Sequence, residues 1–499
     1  MTQTLPASRT ADRVGVAVVL RDPRLLTRET LAGVVTTLAL VPEVISFSVI
    51  AGVDPLVSLV ASVVLALTMS VLGGRPAMVT AAAGSVALVV APLVHQHGVG
   101  YVLPAVVLAG LVQIVFGLAG LARLMRFVPR SVMLGFVNAL GILIFAAQVP
   151  HLVGVPWPAY LLFALTLVVV VLLPRLTTVV PAPLVAIVVV TLVAVLAGLA
   201  LPDVGDEGPL TGALPGLTPF SVPLTLDTLR IVWPTALSVA FVGLLESLLT
   251  AKLVDDLTDT RSAKGRESWA LGVANIAAGF WGGIAGCAMI GQTVVNVKIG
   301  RARTRVSTVV AGLFLLAVVT GLHGVIARIP MVALAAVMMV VALSTVSWAS
   351  VRPATLRRMP LPETAVMVVT VVVTVSTGNL AIGVAVGVLL AMVLFARRVA
   401  HVVQVGRTLA EDGASVRYEV EGPLFFGSSN DLVEQFSYAD DPPQAVVDLS
   451  RAQVWDASTV AALDAVQAKF DDHGVQVRFE GLDERSSRFH ARLSGRLGG

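Results

Sequence analysis

Apolar residues run almost without interruption from about residue 29 to about residue 396, with only short polar stretches between them. A helix needs about 20 predominantly apolar residues to cross the hydrocarbon core of a bilayer. The pattern therefore predicts an α-helical polytopic membrane protein. Its fourteen predicted spans are 29–50, 55–73, 80–94, 100–121, 129–149, 158–174, 181–200, 228–251, 268–285, 288–299, 306–322, 329–347, 361–377 and 379–396.

The pattern changes after about residue 403. Val416–Val420 alternates between apolar and polar residues, Ala445–Leu449 is a continuous apolar run, and Thr459–Phe470 has the spacing of an amphipathic helix. Strands and helices at this spacing predict a compact cytosolic α/β domain over 415–499, after a polar linker over Gly406–Ala414.

Composition supports this division. The chain is 56% apolar and 13% charged, whereas ordinary soluble domains carry roughly a quarter charged residues. Its one cysteine, Cys287, excludes an internal disulfide framework and a cysteine-based metal cluster, and we expect it to be a small buried packing residue. We find no nucleotide loop, metal cluster or nucleophile constellation, so the chain is not predicted to be an enzyme and no metal or cofactor is expected.

The basic residues predict the orientation in the membrane. If the first span starts from the cytoplasm, the Lys and Arg residues before residue 400 divide 23 inside to 2 outside, and Arg230 and Arg328 are the two outside. Arg9, Arg13 and Arg126 belong to the inside set. Because cytoplasmic loops collect Lys and Arg, both termini are predicted to lie in the cytoplasm. The basic loops would then meet anionic lipid of the cell (inner) membrane.

Two of the predicted spans are short, the third (80–94) and the tenth (288–299), and related features recur about 200 positions apart, such as Glu43 and Glu246. Two repeats of seven spans must be inverted relative to each other, since seven is odd. Short helices at matching places in inverted repeats indicate a transporter's binding site. The predicted domains are a cytosolic segment 1–25, a transmembrane domain 26–400 with repeats 26–200 and 228–400, and the α/β domain 415–499.

Two carboxylates lie inside predicted spans. Glu43 directly follows Pro42 in the first span, and Glu246 is in the middle of the eighth. A charged carboxylate there costs several kcal/mol, so it must be neutral, paired or in contact with a water-filled cavity. No Lys, Arg or His lies at the same depth in either span. Both are predicted to be protonatable groups that face a cavity; the alternative is a protonated Glu in a helix interface or against the backbone that Pro42 disrupts.

The two short spans begin with small residues, in Ala81–Ser85 and Ala288–Thr293. A helix that begins inside the membrane directs free N–H groups and a partial positive charge at the space before it. Two such helix starts would form an anion site without a cationic side chain. Close helix packing is the alternative role for these small residues.

Several segments together resemble the SulP anion transporters, the group that contains solute carrier family 26. LMRFVPRSVMLGF (124–136) resembles the RFIPRPVVLGF-type signature of that family. The segments that follow its second half in order and spacing are 243–252, 270–283, 294–307 and 329–334. GPLFFGSSNDL (422–432) and VVDLSRAQVWDASTVAAL (446–463) resemble its carboxy-terminal STAS domain.

The resemblance implies a 7+7 inverted-repeat fold with a core and a gate domain, a homodimer, and elevator-like alternating access. It also implies a site between the third and tenth spans, flanked by the first and eighth. The substrate-binding residues that it implies are Glu43, Phe47, Ala83, Gly84, Ser85, Glu246, Gly291, Gln292 and Thr293.

One departure from the family bears on coupling. Many members have a serine–arginine pair at the start of the tenth helix, where this chain has Gly291 and Gln292. Without that cation, protonation of Glu246 or Glu43 is the simplest way to offset the charge of an entering anion. The sequence therefore favours an H⁺–anion symporter for a dicarboxylate such as fumarate, for bicarbonate or for sulfate. Na⁺ coupling stays open, because a carboxylate beside helix carbonyls also holds Na⁺.

Other hypotheses concern the class of protein and the tail. A nucleobase–H⁺ symporter would share the fold and the eighth-span glutamate, but the 124–136 signature and the STAS segment argue against it. A membrane-tethered signalling scaffold would leave Glu43 and Glu246 without a purpose.

In the STAS segment, DAST (456–459) stands where relatives carry a phosphorylation motif, and Ser458 matches the modified serine. A helix N-cap is the alternative role for this serine.

Overall fold

The computed structural model describes residues 15–123, 128–177, 180–208, 216–223, 225–400, 402–411 and 413–495. Arg9, Arg13 and Arg126 of the predicted cytoplasmic set lie outside these ranges, as does the start of the 124–136 signature. The chain contains two compact units, Met1–Val388 and Leu389–Gly499.

The first unit is almost entirely helical. Its elements are α1 (Val16–Arg21), α2 (Pro23–Ala51), α3 (Pro55–Leu72), β1 (Thr80–Ala82), α4 (Gly84–His97), α5 (Val102–Leu118), α6 (Arg130–Gln148), α7 (Trp157–Leu176), α8 (Ala182–Leu196), α9 (Leu226–Thr258), α10 (Lys264–Gly279), β2 (Gly286–Ala288), α11 (Ile290–Val294), α12 (Arg305–Gly321), α13 (His323–Ile326), α14 (Met331–Thr345), α15 (Trp348–Val351), α16 (Pro353–Arg358) and α17 (Leu361–Thr377). Helix α18 (Leu380–Ala400) follows, and the π-helical turn Val295–Ile299 continues α11.

Every predicted span contains a helix of the structure. Within the described residues, seven helices have the length and apolar composition to cross a membrane, and four more are apolar but shorter. The two short spans differ from the others, because each begins as a strand, β1 or β2, and only then becomes helical. The arrangement as fourteen spans in two inverted sevens stays a prediction.

The helices of the first unit pack in two groups. Helices α2–α5 pack with α9–α12, whereas α6–α8 pack with α14 and α17. Small residues allow close approach within the first group: a Cβ on Gly272 of α10 would lie 2.4 Å from the Gly110 carbonyl oxygen on α5. Lipid tails are as apolar as the helix side chains, so the hydrophobic effect does not drive helices together inside a bilayer. Close packing of the backbones therefore contributes much of the free energy of association. The first group contains both strands and the predicted site.

The second unit contains a four-stranded sheet. Its strands are β3 (Gln404–Leu409), β4 (Ser415–Leu424), β5 (Gln444–Val454) and β6 (Gln476–Glu480), and its helices after α18 are α19 (Ser429–Glu434), α20 (Ala457–Asp472) and α21 (Glu484–Leu493). The strand order is β3-β4-β5-β6, with β3 antiparallel to β4 and the other pairs parallel. Tyr418, Val447 and Phe470 are fully buried in its core. The predicted α/β fold is confirmed.

The structure differs from the sequence prediction at the predicted linker. Residues 404–409 form β3, and Thr408 pairs with Arg417 of β4. The side chains of β3 are mostly exposed because it is an edge strand, so its sequence, QVGRTL, lacks the apolar signal of a buried strand. The sheet therefore starts before the predicted linker and not at residue 415.

This boundary defines a truncation test. A chain that ends at Val403 removes the whole sheet and none of the predicted site residues. We expect it to insert and to bind substrate, with an altered transport rate or a lower folding yield. Binding of sulfate, bicarbonate and fumarate to the purified truncated protein measures whether the anion site survives. A matched chain that ends at Thr408 leaves most of β3 without β4 and is expected to aggregate more. A Val403-terminated protein that folds but has lost all anion affinity would show that the tail shapes the site.

Candidate functional site

A pair of short antiparallel strands lies at the predicted site. β1 pairs antiparallel with β2, so that Ala81 lies opposite Cys287. The strands approach so closely that a Cβ on Gly286 would lie 2.2 Å from the Ala81 carbonyl oxygen, which explains the small residues at these positions. Each strand leads directly into a helix, α4 or α11. Because the strands are antiparallel, α4 and α11 leave from opposite ends of this short pair, and each begins with free N–H groups.

Glu246 of α9 lies against this strand pair. Its side chain is buried, with 8% of the residue exposed. Ser85 at the start of α4 donates a hydrogen bond to Oε2 of Glu246, and the Cys287 thiol donates to the same oxygen at 3.0 Å. No described Lys, Arg or His forms an ion pair with Glu246. The structure thus joins α4, α9 and β2 through a single carboxylate oxygen.

Two residues of α2 lie beside the helix starts: Glu43 is near the start of α11, and Phe47 is at the start of α4. Glu43 is half-buried and lies near the Gln292 side chain of α11, which packs against α2. The Phe47 ring covers the start of α4, because a Cβ on Gly84 would lie 2.5 Å from Cε1 of Phe47. The four elements that the resemblance implies therefore do meet.

The two helix starts are not equivalent. Gly84 and the neighbouring Ala83 are buried, and the Phe47 ring covers Gly84. Gly291 is exposed, and a Cβ there would meet nothing within 4 Å. The space beside the backbone is therefore open at the α11 start and filled at the α4 start. Thr293 is fully buried, and its hydroxyl accepts from the Val79 N–H at 3.0 Å, so it contributes to the loop before β1.

Sequence reasoning missed a buried polar cluster that holds β2. The Asn275 side chain of α10 accepts from the Gly286 N–H at 2.7 Å and donates to the Gly286 carbonyl at 3.2 Å. The same amide donates to Gln113 of α5 at 2.9 Å, and Gln113 donates to the Ala240 carbonyl of α9. Both side chains are fully buried. An amide side chain inside a predicted span, where polar residues are rare, is the sequence signal that could have identified Asn275.

Cys287 was also misjudged in part. It is buried, as expected, but its thiol donates to Glu246 and so does more than fill space. Composition carries no signal for this contact, because it depends on the register of β1 with β2.

Ser458 in the second unit is exposed in the first turn of α20. The residue that caps this helix is Asp456, whose carboxylate accepts from the Thr459 N–H at 3.1 Å. Asp456 also accepts from the Phe426 N–H at 2.7 Å. The N-cap interpretation therefore applies to Asp456, and modification of Ser458 stays a prediction.

Comparison with known proteins gives matches over most of the chain. The profile described as "Sulfate permease family" matches residues 26–159 and 155–370, and the STAS domain profile matches residues 408–494. The Bacillus subtilis protein named "Putative sulfate transporter YbaR" is 48% identical over 459 residues, which are 92% of this chain and 95% of that protein. "Bicarbonate transporter BicA" of Picosynechococcus sp. is 24% identical over 510 residues, 91% of this chain and 88% of that protein.

A solved structure matches as well. The murine Solute Carrier 26 family member A9 anion transporter in its inward-facing state has a TM-score of 0.81 to this chain, at 17% identity, over 94% of this chain and 87% of that one. At this identity the likeness concerns the fold alone. It confirms the predicted fold, a helical core followed by an α/β domain.

Two glycine substitutions test the difference between the helix starts. Gly84→Ala places a Cβ against Phe47, so we expect destabilisation of about 1–3 kcal/mol together with weaker substrate binding. Gly291→Ala enters open space, so we expect unchanged thermal stability but an apparent substrate constant roughly tenfold higher, about 1.4 kcal/mol. Thermal unfolding and uptake kinetics measure the two effects. If Gly291→Ala leaves the substrate constant unchanged, the anion does not approach the start of α11.

Proposed function

The chain belongs to the sulfate permease family, whose members are membrane transporters, and from this membership we propose that it is an H⁺-coupled anion symporter. The proposed substrate is sulfate, bicarbonate or a small dicarboxylate such as fumarate. The single observation that carries the proposal is the composition of the site: two carboxylates, Glu43 and Glu246, beside two helix starts, with no cationic side chain among the predicted site residues.

The charge of the site supports proton coupling. A bare anion entering beside an ionised Glu246 would meet like charge in a region of low dielectric, where repulsion is strong. A proton on Glu246 removes that charge and leaves the helix-start N–H groups to bind the anion. Release of the proton on the other side of the membrane would restore the repulsion and expel the anion. Anion and proton would therefore move together.

The donors around the site support an oxyanion as substrate. The exposed backbone at Gly291 offers an N–H group, which matches the oxygens of sulfate, bicarbonate or a carboxylate. The relatives are named as sulfate and bicarbonate transporters. A nucleobase substrate has no such support, because the family match is to sulfate permeases.

Movement and assembly follow from the same proposal. The helix group that contains the site would move against the group of α6–α8, α14 and α17 in an elevator-like cycle. We expect a homodimer in the cell membrane, with both termini and the STAS domain in the cytoplasm. The STAS domain would assemble or regulate the membrane domain, because none of the predicted substrate-binding residues belongs to it.

Glu246→Gln tests the proposal. In proteoliposomes with an acid exterior, the wild type is expected to accumulate labelled substrate against its gradient. The variant keeps the shape of the side chain but cannot carry a proton, so we expect accumulation to fall to the level without a pH gradient while exchange of substrate persists. Replacing Na⁺ by K⁺ at constant pH gradient should change nothing.

The control is the same substitution at the other carboxylate, Glu43→Gln, which shows whether one or both glutamates carry the proton. Accumulation by Glu246→Gln at the wild-type level would reject Glu246 as the proton carrier. Accumulation that requires Na⁺ and ignores pH would establish the sodium alternative.

A further inference from the structure

The only cysteine of the chain, Cys287, lies in direct contact with the proposed proton carrier. It is 0% exposed. Its Sγ lies 3.0 Å from Oε2 of Glu246 and 3.8 Å from Oγ of Ser85. The three polar groups form a closed cluster in which the thiol and the hydroxyl share one acceptor oxygen.

The backbone around Cys287 is fixed on both sides. The preceding residue, Gly286, is held through both its N–H and its carbonyl by Asn275. The following residue, Ala288, donates its N–H to the Ser247 hydroxyl at 3.0 Å, and Ser247 is the neighbour of Glu246 on α9. Because β2 is attached to α9 and α10 in this way, the backbone holds Cys287 beside Glu246.

We propose that Cys287 is a positioning residue, whose thiol orients the Glu246 carboxylate and sets the pH at which that group exchanges its proton. The inference rests on the proposed function. A donor to the charged form of an acid favours that form, and a thiol is a weaker donor than a hydroxyl. The Cys287–Ser85 pair would therefore hold the ionised Glu246 firmly enough to keep its geometry and loosely enough to let it accept a proton.

Few other charges reach Glu246. The described elements packed on α9 are α4, α5, α10, α11, β2 and the π turn. Helices α5 and α11 carry no titratable side chain, and Glu43 belongs to α2 and lies near Gln292 of α11. The remaining titratable side chains lie towards helix ends: His95 and His97 of α4, Lys264, Arg266 and Glu267 of α10, Lys298 of the π turn, and Asp227, Arg230, Lys252, Asp255 and Asp256 of α9 itself.

A series at Cys287 tests the pH effect. Cys287→Ala removes a donor to the ionised carboxylate, so the proton-bound form should persist to higher pH. We expect the alkaline midpoint of the uptake rate against pH to rise by roughly half a unit. Cys287→Ser supplies a stronger donor and is expected to return the midpoint to the wild-type value or below. A merely structural role would lower yield or rate without moving the midpoint, and identical midpoints in all three proteins would overturn the inference.

A second measurement does not depend on transport. The S–H stretching band lies in an infrared window free of other protein groups, and here it comes from Cys287 alone because the chain has one cysteine. We expect a band typical of a hydrogen-bonded thiol that moves to the position of a weaker hydrogen bond in Glu246→Gln, with Glu43→Gln as the matched control that leaves it in place.

The two experiments separate the possible failures. A band that ignores Glu246→Gln overturns the inference whatever the transport result. A band that responds, in a protein whose uptake ignores the pH gradient, keeps Cys287 as a positioning residue for Glu246 and rejects proton coupling.

Discussion

The buried carboxylate of Glu246 is the group on which the rest of the site depends. A carboxylate inside a membrane protein costs several kcal/mol unless it is neutralised, paired or hydrogen-bonded. Here the hydrogen bonds come from two separate elements, Ser85 of α4 and Cys287 of β2. Hydrogen bonds to charged groups contribute about 1.5–3 kcal/mol each, and a thiol contributes less than a hydroxyl. Two such donors offset part of the free-energy cost of burying the charge. Protonation of Glu246 would remove the rest of that cost.

The antiparallel pair of β1 and β2 makes this arrangement possible. Inside a bilayer every backbone N–H and carbonyl must be satisfied within the protein, so an interrupted helix is tolerated only where other groups replace the lost hydrogen bonds. The β1–β2 pair supplies some of them, and Asn275, Ser247 and Thr293 supply others. The interactions that make the interruption tolerable are thus the same ones that fix the positions from which α4 and α11 begin.

Sequence patterns predicted those parts of the site that depend on length and charge. The short third and tenth spans and the intramembrane Glu43 and Glu246 were visible because a helix has a fixed rise and a buried charge is costly. The strand pair was not, because TAA and GCA lack the β-branched or alternating pattern of ordinary strands and pair over some 200 positions. The direction of the Cys287 thiol depends on register, since a shift of one residue turns a strand side chain to the other face.

In the proposed mechanism, anion binding and protonation of Glu246 are one linked event. Its most direct test counts the protons that purified protein takes up when sulfate, bicarbonate or fumarate is added in weakly buffered solution, with a pH indicator as the readout and added acid or base as calibration. We expect uptake of about one proton per bound anion in the wild type, and anion binding without proton uptake in Glu246→Gln. Saturating anion binding to the wild type without any proton uptake would contradict it.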